Sequence, residues 1–393
     1  MRRFLAWSSA LTTLAIAAFF TLGPGIADRL QNPVAPHEPW PISPEAQALH
    51  DRLIVGDLHA DALLWDRDLT RRHDRGHVDL PRLREGNVAF QVFTTVTKSP
   101  SGLNYDHNSA EARDNITALF IGQLRPPRAW FDLTERALVQ AEALARIEAT
   151  KPDLLRIVRT VDDIDDVLRL RTAGQPVIGA ILGAEGGHAL SGDPGNLGRL
   201  YDAGFRLIGL THFFDNELGG SLHGENTWEK GLTDFGREVV RGMVERGMII
   251  DLAHASVRMA RDVLQITDVP IIVSHTGIHG HCPSRRNFPD DLMRDIAATG
   301  GVIGIGYWAD VTCDDTPAGI ADAIVAAIAL VGEDHVALGS DFDGAVKTTL
   351  DTSELAALTQ ALMDRGLSEP TIAKVMGGNM MRVLREILPR RKA

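Results

Sequence analysis

The sequence has little cysteine and no excess of positive charge. Only two of its 393 residues are cysteine, too few for a Cys-rich zinc site, so a bound metal would need His and carboxylate ligands. Lys and Arg number 40 against 52 Asp and Glu, a net charge of −12, which lacks the basic footprint of a nucleic-acid-binding protein. Hydrophobic residues make up 44% and charged residues 23%, values that exclude a disordered chain. The 14 histidines are the unusual feature.

The N-terminus carries a membrane signal. Arg2 and Arg3 precede an uncharged apolar stretch over residues 4–22, a pattern typical of a secretion signal or an N-terminal anchor. Its length is close to the roughly 20 residues that span a bilayer, which favours a retained anchor, while Gly25 and Ala27 leave cleavage after Ala27 open. The positive-inside rule then predicts a periplasmic or extracellular catalytic domain.

The remaining chain is predicted to be one barrel domain. Eight apolar segments are predicted strands: residues 53–59, 88–94, 177–185, 206–212, 248–254, 271–275, 302–307 and 336–341. Helical patterns lie between them, clearest over 132–150, 234–246 and 317–331. This alternation predicts an α/β fold, a closed (β/α)₈ TIM-type barrel rather than an open sheet. The predicted division is an anchor or signal segment over 1–27, a tether over 28–48, the barrel over 49–388 and a basic tail over 389–393.

Six predicted strands end in ionisable residues. A lone histidine at a strand end is often structural, but parallel strands of a barrel deliver their ends to one rim, where active sites lie. Six such ends therefore predict a functional site. The residues are His59 with Asp61, Glu185, His212, His254, His275 and Asp341.

The types and spacing of these residues indicate a metal centre. His59 and Asp61 are two residues apart, so on a strand they share a face and can reach one cation. Imidazole with carboxylate favours zinc or a similar divalent metal over calcium. Glu185 has two oxygens and can bridge two ions, and His254 and His275 form a plausible second pair. Two adjacent cations would polarise a carbonyl and generate hydroxide from water.

At this point the sequence resembles the membrane (renal) dipeptidase family, zinc peptidases of the (β/α)₈ metallohydrolase type. The resemblance covers about residues 50–388, and the ordered set of motifs is specific although each motif alone is not. The matching stretches are Asp57-Leu58-His59-Ala60-Asp61, His77-Val78-Asp79-Leu80-Pro81-Arg82, Glu185-Gly186-Gly187-His188, Leu210-Thr211-His212, Ile250-Asp251-Leu252-Ala253-His254, Ser274-His275, Arg285-Arg286-Asn287 with Pro289-Asp290-Asp291, Gly339-Ser340-Asp341-Phe342-Asp343-Gly344, and Gly378-Asn379 with Arg382 and Val383.

The resemblance implies two zinc ions per chain. One is held by His59, Asp61 and Glu185, and the other by Glu185, His254 and His275, with Glu185 as the bridge. It also implies a homodimer.

The resemblance further implies how a dipeptide is bound and cut. His212 contacts the substrate carbonyl, Arg286 binds the C-terminal carboxylate, and Asp341 shuttles the proton. Asp343 is an alternative proton carrier, or it only orients its loop. For Arg285, a solvated loop position is the preferred interpretation.

Cys282 and Cys313 are predicted to form a disulfide. They lie in neighbouring rim loops of the predicted barrel, and two lone thiols outside the cytoplasm can oxidise. The family resemblance also suggests a disulfide near this place. The alternative is two unrelated buried thiols.

Several rim residues keep open interpretations. His188 either orients Glu185 or is a loop residue, and His223, His279 and His281 either line the pocket or face solvent. Trp228 and the pair Tyr307–Trp308 are either pocket walls or core.

The leading hypothesis is a binuclear zinc dipeptidase in which a metal-bridged hydroxide attacks the peptide bond. Its substrate is a small dipeptide, its membrane contact is the N-terminal segment, and nucleic acid is not a partner. One alternative is a related amidohydrolase acting on N-acyl amino acids or β-lactams. Another is a non-catalytic surface binding protein, against which the intact ligand set argues.

Overall fold

Nine parallel strands form the centre of the molecule. The computed structural model describes residues 17–225 and 229–391. The strands are β1 (Val55–Ala60), β2 (Val88–Val96), β3 (Leu155–Ile157), β4 (Ile178–Glu185), β5 (Phe205–Gly209), β6 (Ile249–Asp251), β7 (Ile272–Thr276), β8 (Val302–Ile305) and β9 (Val336–Leu338). Hydrogen-bonded neighbours run β2-β1-β9-β8-β7-β6-β5-β4, and pairing of β2 with β4 closes this ring of eight. The predicted (β/α)₈ barrel is confirmed.

Helices alternate with these strands. They are α1 (Gly23–Gln31), α2 (Pro44–His50), α3 (Leu80–Glu85), α4 (Asn115–Gly122), α5 (Leu133–Thr150), α6 (Val161–Thr172), α7 (Gly195–Asp202), α8 (Asp234–Arg246), α9 (Val257–Leu264), α10 (Asp290–Ala298), α11 (Ala309–Thr312), α12 (Pro317–Val331), α13 (Ala356–Asp364), α14 (Glu369–Ala373) and α15 (Asn379–Ile387). The three clearest helical patterns agree with α5, α8 and α12. Each of these three helices begins after a side-chain cap. Before α5, for example, Asp132 accepts a hydrogen bond from the backbone amide of Glu135, which satisfies an otherwise unpaired donor.

The strands of the ring are buried along their length. Parallel strands covered by helices need apolar residues on both faces, which explains their near-continuous apolar runs. Close packing also restricts side-chain size. A Cβ at Gly179 would lie 2.5 Å from the ring of Phe90 on the paired strand, so glycine is needed where β2 and β4 close the barrel.

Two details of the strand prediction are wrong. The sequence predicts strands through the last residues of segments 206–212, 248–254, 302–307 and 336–341, but β5, β6, β8 and β9 end two or three residues earlier. The short strand β3 was not predicted, because three residues that include an exposed Arg156 give no apolar run. β3 pairs with the first residues of β4, outside the ring of eight.

The chain before the barrel contains helix α1, which spans the junction between the expected anchor and tether. Within the described ranges, no helix has both the length and the apolar character needed to cross a bilayer. Most of the apolar stretch over 4–22, together with Trp228 and the last two residues of the basic tail, lies outside the described residues.

Candidate metal centre and substrate pocket

The carboxylate of Glu185 lies at the centre of a buried cluster at the C-terminal rim. Its Oε1 atom is 3.4 Å from Nε2 of His59 and 3.3 Å from Nε2 of His254. It is also 3.4 Å from Nε2 of His275. Asp61 joins the cluster, with its Oδ2 3.6 Å from Nε2 of His59. The structure therefore brings all five predicted metal ligands together.

The ligand atoms form three overlapping groups of metal-binding composition. Within each group the atoms lie within 4.8 Å of one another: His59 with Glu185 and His275, Glu185 with His212 and His254, and His59 with Asp61 and Asp341. Glu185 belongs to two groups, as a bridging carboxylate would. Imidazole nitrogens mixed with carboxylate oxygens suit zinc and other divalent transition metals.

The protonation states of Glu185, His254 and His275 favour ligation, whereas those of His59 and Asp61 do not. Although burial opposes it, Asp61 and Glu185 raise the pKa of His59 well above its ordinary value, and burial raises the pKa of Asp61. Burial opposes ionisation of Glu185, but the charges of His212 and His59 and hydrogen bonds from neighbouring imidazoles hold its pKa well below the usual range. Burial and the nearby Arg286 guanidinium lower the pKa of His254 well below its ordinary value. Burial likewise lowers the pKa of His275. An ionised carboxylate and neutral imidazoles are the forms that bind a cation.

His254 and Asp341 reach the cluster from positions beyond their strands. Both residues are three positions past the strand end, in the left-handed region with φ of 65° and 58°. Non-glycine residues adopt this conformation rarely, and it recurs at functional sites. In these two loops a sharp turn, not the strand itself, directs the side chain to the rim.

Three polar residues that had no predicted role, Thr94, Ser274 and Asp251, lie around the predicted ligands and form hydrogen bonds there. Thr94 Oγ1 donates to Oδ1 of Asp61 at 2.5 Å. Ser274 Oγ donates to Oδ2 of Asp251 at 2.6 Å. The available signal was a polar residue near the C-terminal end of a buried strand, which applies to Thr94, Ser274 and Asp251.

Asp341 and Asp343 have different surroundings. Asp341 lines the pocket, with Oδ1 4.0 Å from Nε2 of His59. Burial raises the pKa of Asp341 well above the usual range, and Glu185 adds to the effect. Asp343 is paired with Arg67 at 2.5 Å and accepts hydrogen bonds from the backbone amides of His77 and Val78. Asp343 therefore orders its loop, and Asp341 is the residue that faces the site.

Of the three predicted substrate-binding residues, Asp341 faces the site as described, and His212 and Arg286 also lie beside the ligand cluster. Nε2 of His212 is 3.4 Å from Oε2 of Glu185. Arg286 is 2% exposed, and its Nη2 donates to the carbonyl oxygen of His275 at 2.8 Å. Its guanidinium lies over the ring of Trp308, 5.8 Å from the centroid.

A cavity of about 320 Å³ connects these groups. Its polar lining includes Asp61, Glu185, His212, His254, Arg286 and Asp341, and much of the rest is apolar. Tyr105, which had no predicted role, also lines it, and its hydroxyl accepts from Nε1 of Trp308 at 3.0 Å. Burial raises the pKa of Tyr105 to about 12, so the phenol stays neutral. Tyr105 lies in an irregular loop after β2, where no periodic pattern marks it.

The other rim residues divide between core and solvent. His223 is fully buried and Tyr307 is in the core, whereas His279 and His281 are exposed. His188 is buried and does not hydrogen-bond to Glu185. Among the described residues neither of its ring nitrogens has a partner. Burial lowers the pKa values of His188 and His223 to about 3, so both rings are neutral.

Cys282 and Cys313 form a disulfide, with Cα atoms 5.6 Å apart. The predicted pairing is confirmed. The bridge joins the loop that follows β7 to the end of α11. Arg286 lies four residues after Cys282, so the disulfide limits the movement of the loop that carries it.

Comparison with known proteins gives a consistent result. The model of the membrane dipeptidase family, peptidase family M19, matches residues 43–392. The dipeptidase aclJ of Aspergillus oryzae is 30% identical over 405 residues, which covers 98% of this chain and 89% of the relative.

Solved structures share the fold. A metallopeptidase from Rhodobacter sphaeroides, liganded with a phosphinate mimic of the dipeptide L-Ala-D-Ala, has a TM-score of 0.69 at 24% identity and covers 85% of this chain and 99% of its own. The probable dipeptidase PvdM from Pseudomonas aeruginosa has a TM-score of 0.72 at 19% identity and covers 88% and 98%. At these sequence identities the structural similarity shows the fold alone. Because the family model spans most of the chain and a dipeptidase relative matches nearly all of it, the chain belongs to the membrane dipeptidase family, peptidase family M19, and is a metal-dependent dipeptidase.

Proposed function

We propose that this chain hydrolyses dipeptides with two zinc ions bridged by Glu185. His59 and Asp61 complete one site, and His254 and His275 complete the other. The observation that carries the proposal is the position of one oxygen of Glu185, within 3.4 Å of Nε2 atoms from three histidines on three different strands or their loops. Such a point has the donor types and the crowding of a binuclear site.

The substrate is a free dipeptide, recognised by its carboxylate. Arg286 is buried on the cavity wall and offers a planar pair of donors suited to a carboxylate. The cavity volume of about 320 Å³ is at the lower end of the range for ligand pockets, about 300–1,000 Å³, which favours a small substrate. The dipeptide mimic bound by the Rhodobacter sphaeroides relative is consistent with this choice.

Three side chains, Arg286, His212 and Asp341, each perform one part of the proposed reaction. When bound, the metal ions supply Lewis acidity and a water of lowered pKa. Arg286 binds the carboxylate and places the scissile carbonyl beside His212, which stabilises the negative charge that develops on its oxygen. Asp341 takes the proton of the attacking water and donates it to the leaving amine.

The catalytic domain lies outside the cytoplasm in this proposal, attached to a membrane by its N-terminal segment. The Cys282–Cys313 bridge supports an oxidising compartment. The positive residues Arg2 and Arg3 before an apolar stretch support the orientation. A homodimer is the assembly proposed from the family resemblance, and the domain limits of 49–388 are those proposed from the sequence.

One experiment tests the activity. A panel of L-L and L-D dipeptides, each with its C-terminal amide, is incubated with zinc-loaded enzyme and with chelator-treated enzyme, and metal is counted by elemental analysis. We expect two zinc equivalents, hydrolysis of free dipeptides, weak hydrolysis of the amides and no activity after chelation.

Glu185→Gln serves as the inactive variant, and Glu217→Gln, in an exposed loop position, is the matched control. Loss of zinc in the first variant alone is the expected result. Absence of hydrolysis across the panel, or full activity of Glu185→Gln, would overturn the proposal. N-acyl amino acids and a β-lactam belong in the same panel, and a preference for either would replace dipeptides as the substrate class.

A further inference from the structure

Helix α1 forms part of the catalytic pocket although it precedes the barrel. Ala27 and Gln31 line the same cavity as Glu185 and Arg286. These two α1 residues are four positions apart, so they share one face of the helix. The junction between the expected anchor segment, which ends at Ala27, and the expected tether, which contains Gln31, is therefore part of the site's wall.

A buried ion-pair network holds α1 in place. Asp28 is 1% exposed, and its Oδ2 lies 2.8 Å from Nε of Arg75 and 3.3 Å from Nε of Arg67. Its other oxygen accepts from Nδ2 of Asn32 at 2.9 Å. Separating a buried carboxylate from either of two arginine partners costs free energy. These ion pairs therefore hold α1 in one position against the barrel.

The same network reaches the loop that carries Asp341. Arg67 also pairs with Asp343 at 2.5 Å. Asn32, which ends α1, accepts from the amide of Ala345 at 3.0 Å. Residues 344–346 line the cavity as well, so α1 and the loop after β9 form adjoining parts of one wall.

Apart from Gln31, Ser99 and Asn115, the wall at α1 is apolar, and it lies across the barrel from Arg286. Ala27 packs against a hydrophobic cluster that includes Leu64, Trp65, Val96 and Ile116, and these four residues also line the cavity. Leu64 and Trp65 follow β1, Val96 is the last residue of β2, and Ile116 lies in the segment after β2. In the ring of eight strands, three strands separate β2 from β7 on either side, so the loop after β7, with Arg286, is opposite.

This arrangement separates the two ends of a dipeptide. If the C-terminal carboxylate is bound at Arg286, the N-terminal residue extends toward the β1–β2 side of the rim. Its side chain then meets the apolar cluster and the methyl group of Ala27. A site of this kind favours an apolar side chain whose size is limited by the residue at position 27.

We propose that helix α1 closes the pocket for the side chain of the substrate's N-terminal residue, and that Ala27 determines the size of side chain accepted there. The inference rests on the proposed dipeptidase function and on the binding of the carboxylate by Arg286. It assigns the segment before the barrel a role in substrate specificity.

The test compares Leu-Ala with Gly-Ala in the full-length protein. Ala27→Trp fills the apolar space, so we expect the ratio of kcat/KM for Leu-Ala over Gly-Ala to fall at least about tenfold, in the range that pocket size discrimination reaches. Ile26→Trp is the matched control, because Ile26 is 52% exposed on the same helix and should leave the ratio within about twofold of wild type. Zinc content and circular dichroism verify that each variant folds and binds metal.

The outcomes separate this inference from the proposed function. Wild-type enzyme that hydrolyses neither dipeptide overturns both. Wild-type activity together with an unchanged ratio in folded Ala27→Trp overturns the role of α1 alone. If Ala27→Trp does not fold, Ala27→Leu replaces it, with an expected fall of about threefold, and an unchanged ratio in that variant contradicts the inference equally.

Discussion

The hydroxyl of Ser274 donates a 2.6 Å hydrogen bond to Oδ2 of Asp251. A serine hydroxyl has one proton, so Ser274 Oγ is left as an acceptor toward its other neighbours. Those neighbours are Nδ1 of His59 at 3.1 Å and Nδ1 of His275 at 2.8 Å. Both rings then carry a proton on Nδ1, so Nε2 is the atom of each ring that faces Glu185 and that can bind a metal ion when the ring is neutral. One hydroxyl thus sets the tautomer of two proposed metal ligands.

Ser274→Ala is therefore expected to weaken zinc binding. Loss of such an outer hydrogen bond typically costs 10–100-fold in metal affinity, and competition with a chromogenic chelator measures it. Ser256→Ala is the matched control. Ser256 caps α9 by accepting from the amide of Met259, so that variant should lose about 1 kcal/mol of stability with wild-type zinc affinity. Wild-type affinity in Ser274→Ala would show that the hydroxyl has no effect on the ligands.

Asp341→Asn should retain zinc and lose turnover. Asparagine keeps the size of the side chain but carries no transferable carboxyl proton, so we expect kcat to fall by about 10²–10⁴ with two zinc equivalents still bound. Asp310→Asn, at an exposed position on α11, should behave like wild type. A loss of one zinc equivalent in Asp341→Asn would identify Asp341 as a ligand instead of a proton carrier.

Arg286→Lys should weaken recognition of the substrate carboxylate specifically. Lysine retains the charge but lacks the planar pair of donors, so we expect KM for a dipeptide to rise about tenfold or more, while the poor rate with its C-terminal amide changes little. Steady-state kinetics on both substrates measure this difference. Arg285→Lys is the control, because Arg285 is exposed and pairs with Asp106. Equal losses on acid and amide would contradict the assignment.

The Cys282–Cys313 bridge should stabilise the barrel domain. It closes a loop with a sequence separation of 31 residues, for which the chain-entropy model gives about 3–4 kcal/mol. The double variant Cys282→Ser with Cys313→Ser should lose about this free energy of unfolding in denaturant titrations. Mass measurement without reductant should find no free thiol in wild-type protein, and two free thiols would contradict the bridge.

The sequence predicts much of the barrel and its rim because both depend on local patterns. A buried parallel strand is a continuous apolar run, and the ionisable residue that interrupts it marks the rim, as at His59, Glu185 and His275. The same reasoning misplaced His254 and Asp341 on strands. Their left-handed backbone depends on the packing of the loops and leaves no trace in hydrophobic periodicity.

The proposed role of α1 could not be predicted from the sequence, for a different reason. Asp28 pairs with Arg67 and Arg75, which are far along the chain, and no spacing rule links residues so distant. The Pro- and polar-rich composition of the segment instead favoured a tether. Contacts of this kind arise only when the barrel has formed, so they are a tertiary property.

The buried His50 should make stability fall at mildly acidic pH. His50 is 1% exposed, and its ring nitrogens lie 2.8 Å from Oγ1 of Thr359 and 3.1 Å from the carbonyl oxygen of Gly86. Burial lowers the pKa of His50 below its ordinary value of 6.5, although Gly86 and Asp51 act in the opposite direction. Between the lowered folded pKa and 6.5, the unfolded chain binds more protons than the folded one. Stability therefore decreases as pH falls through this window, by up to about 1.4 kcal/mol per pH unit.

His50→Gln isolates this contribution, because glutamine retains a donor and an acceptor but does not titrate. We expect the free energy of unfolding of wild type to fall more steeply than that of the variant between pH 7 and pH 5. The metal ligands titrate in both proteins, so the difference between the two slopes reports on His50. At pH 8 the ring is neutral in both folded and unfolded chains, and a difference there records packing alone. Equal slopes would mean that the folded protein protonates His50 as readily as the unfolded chain does.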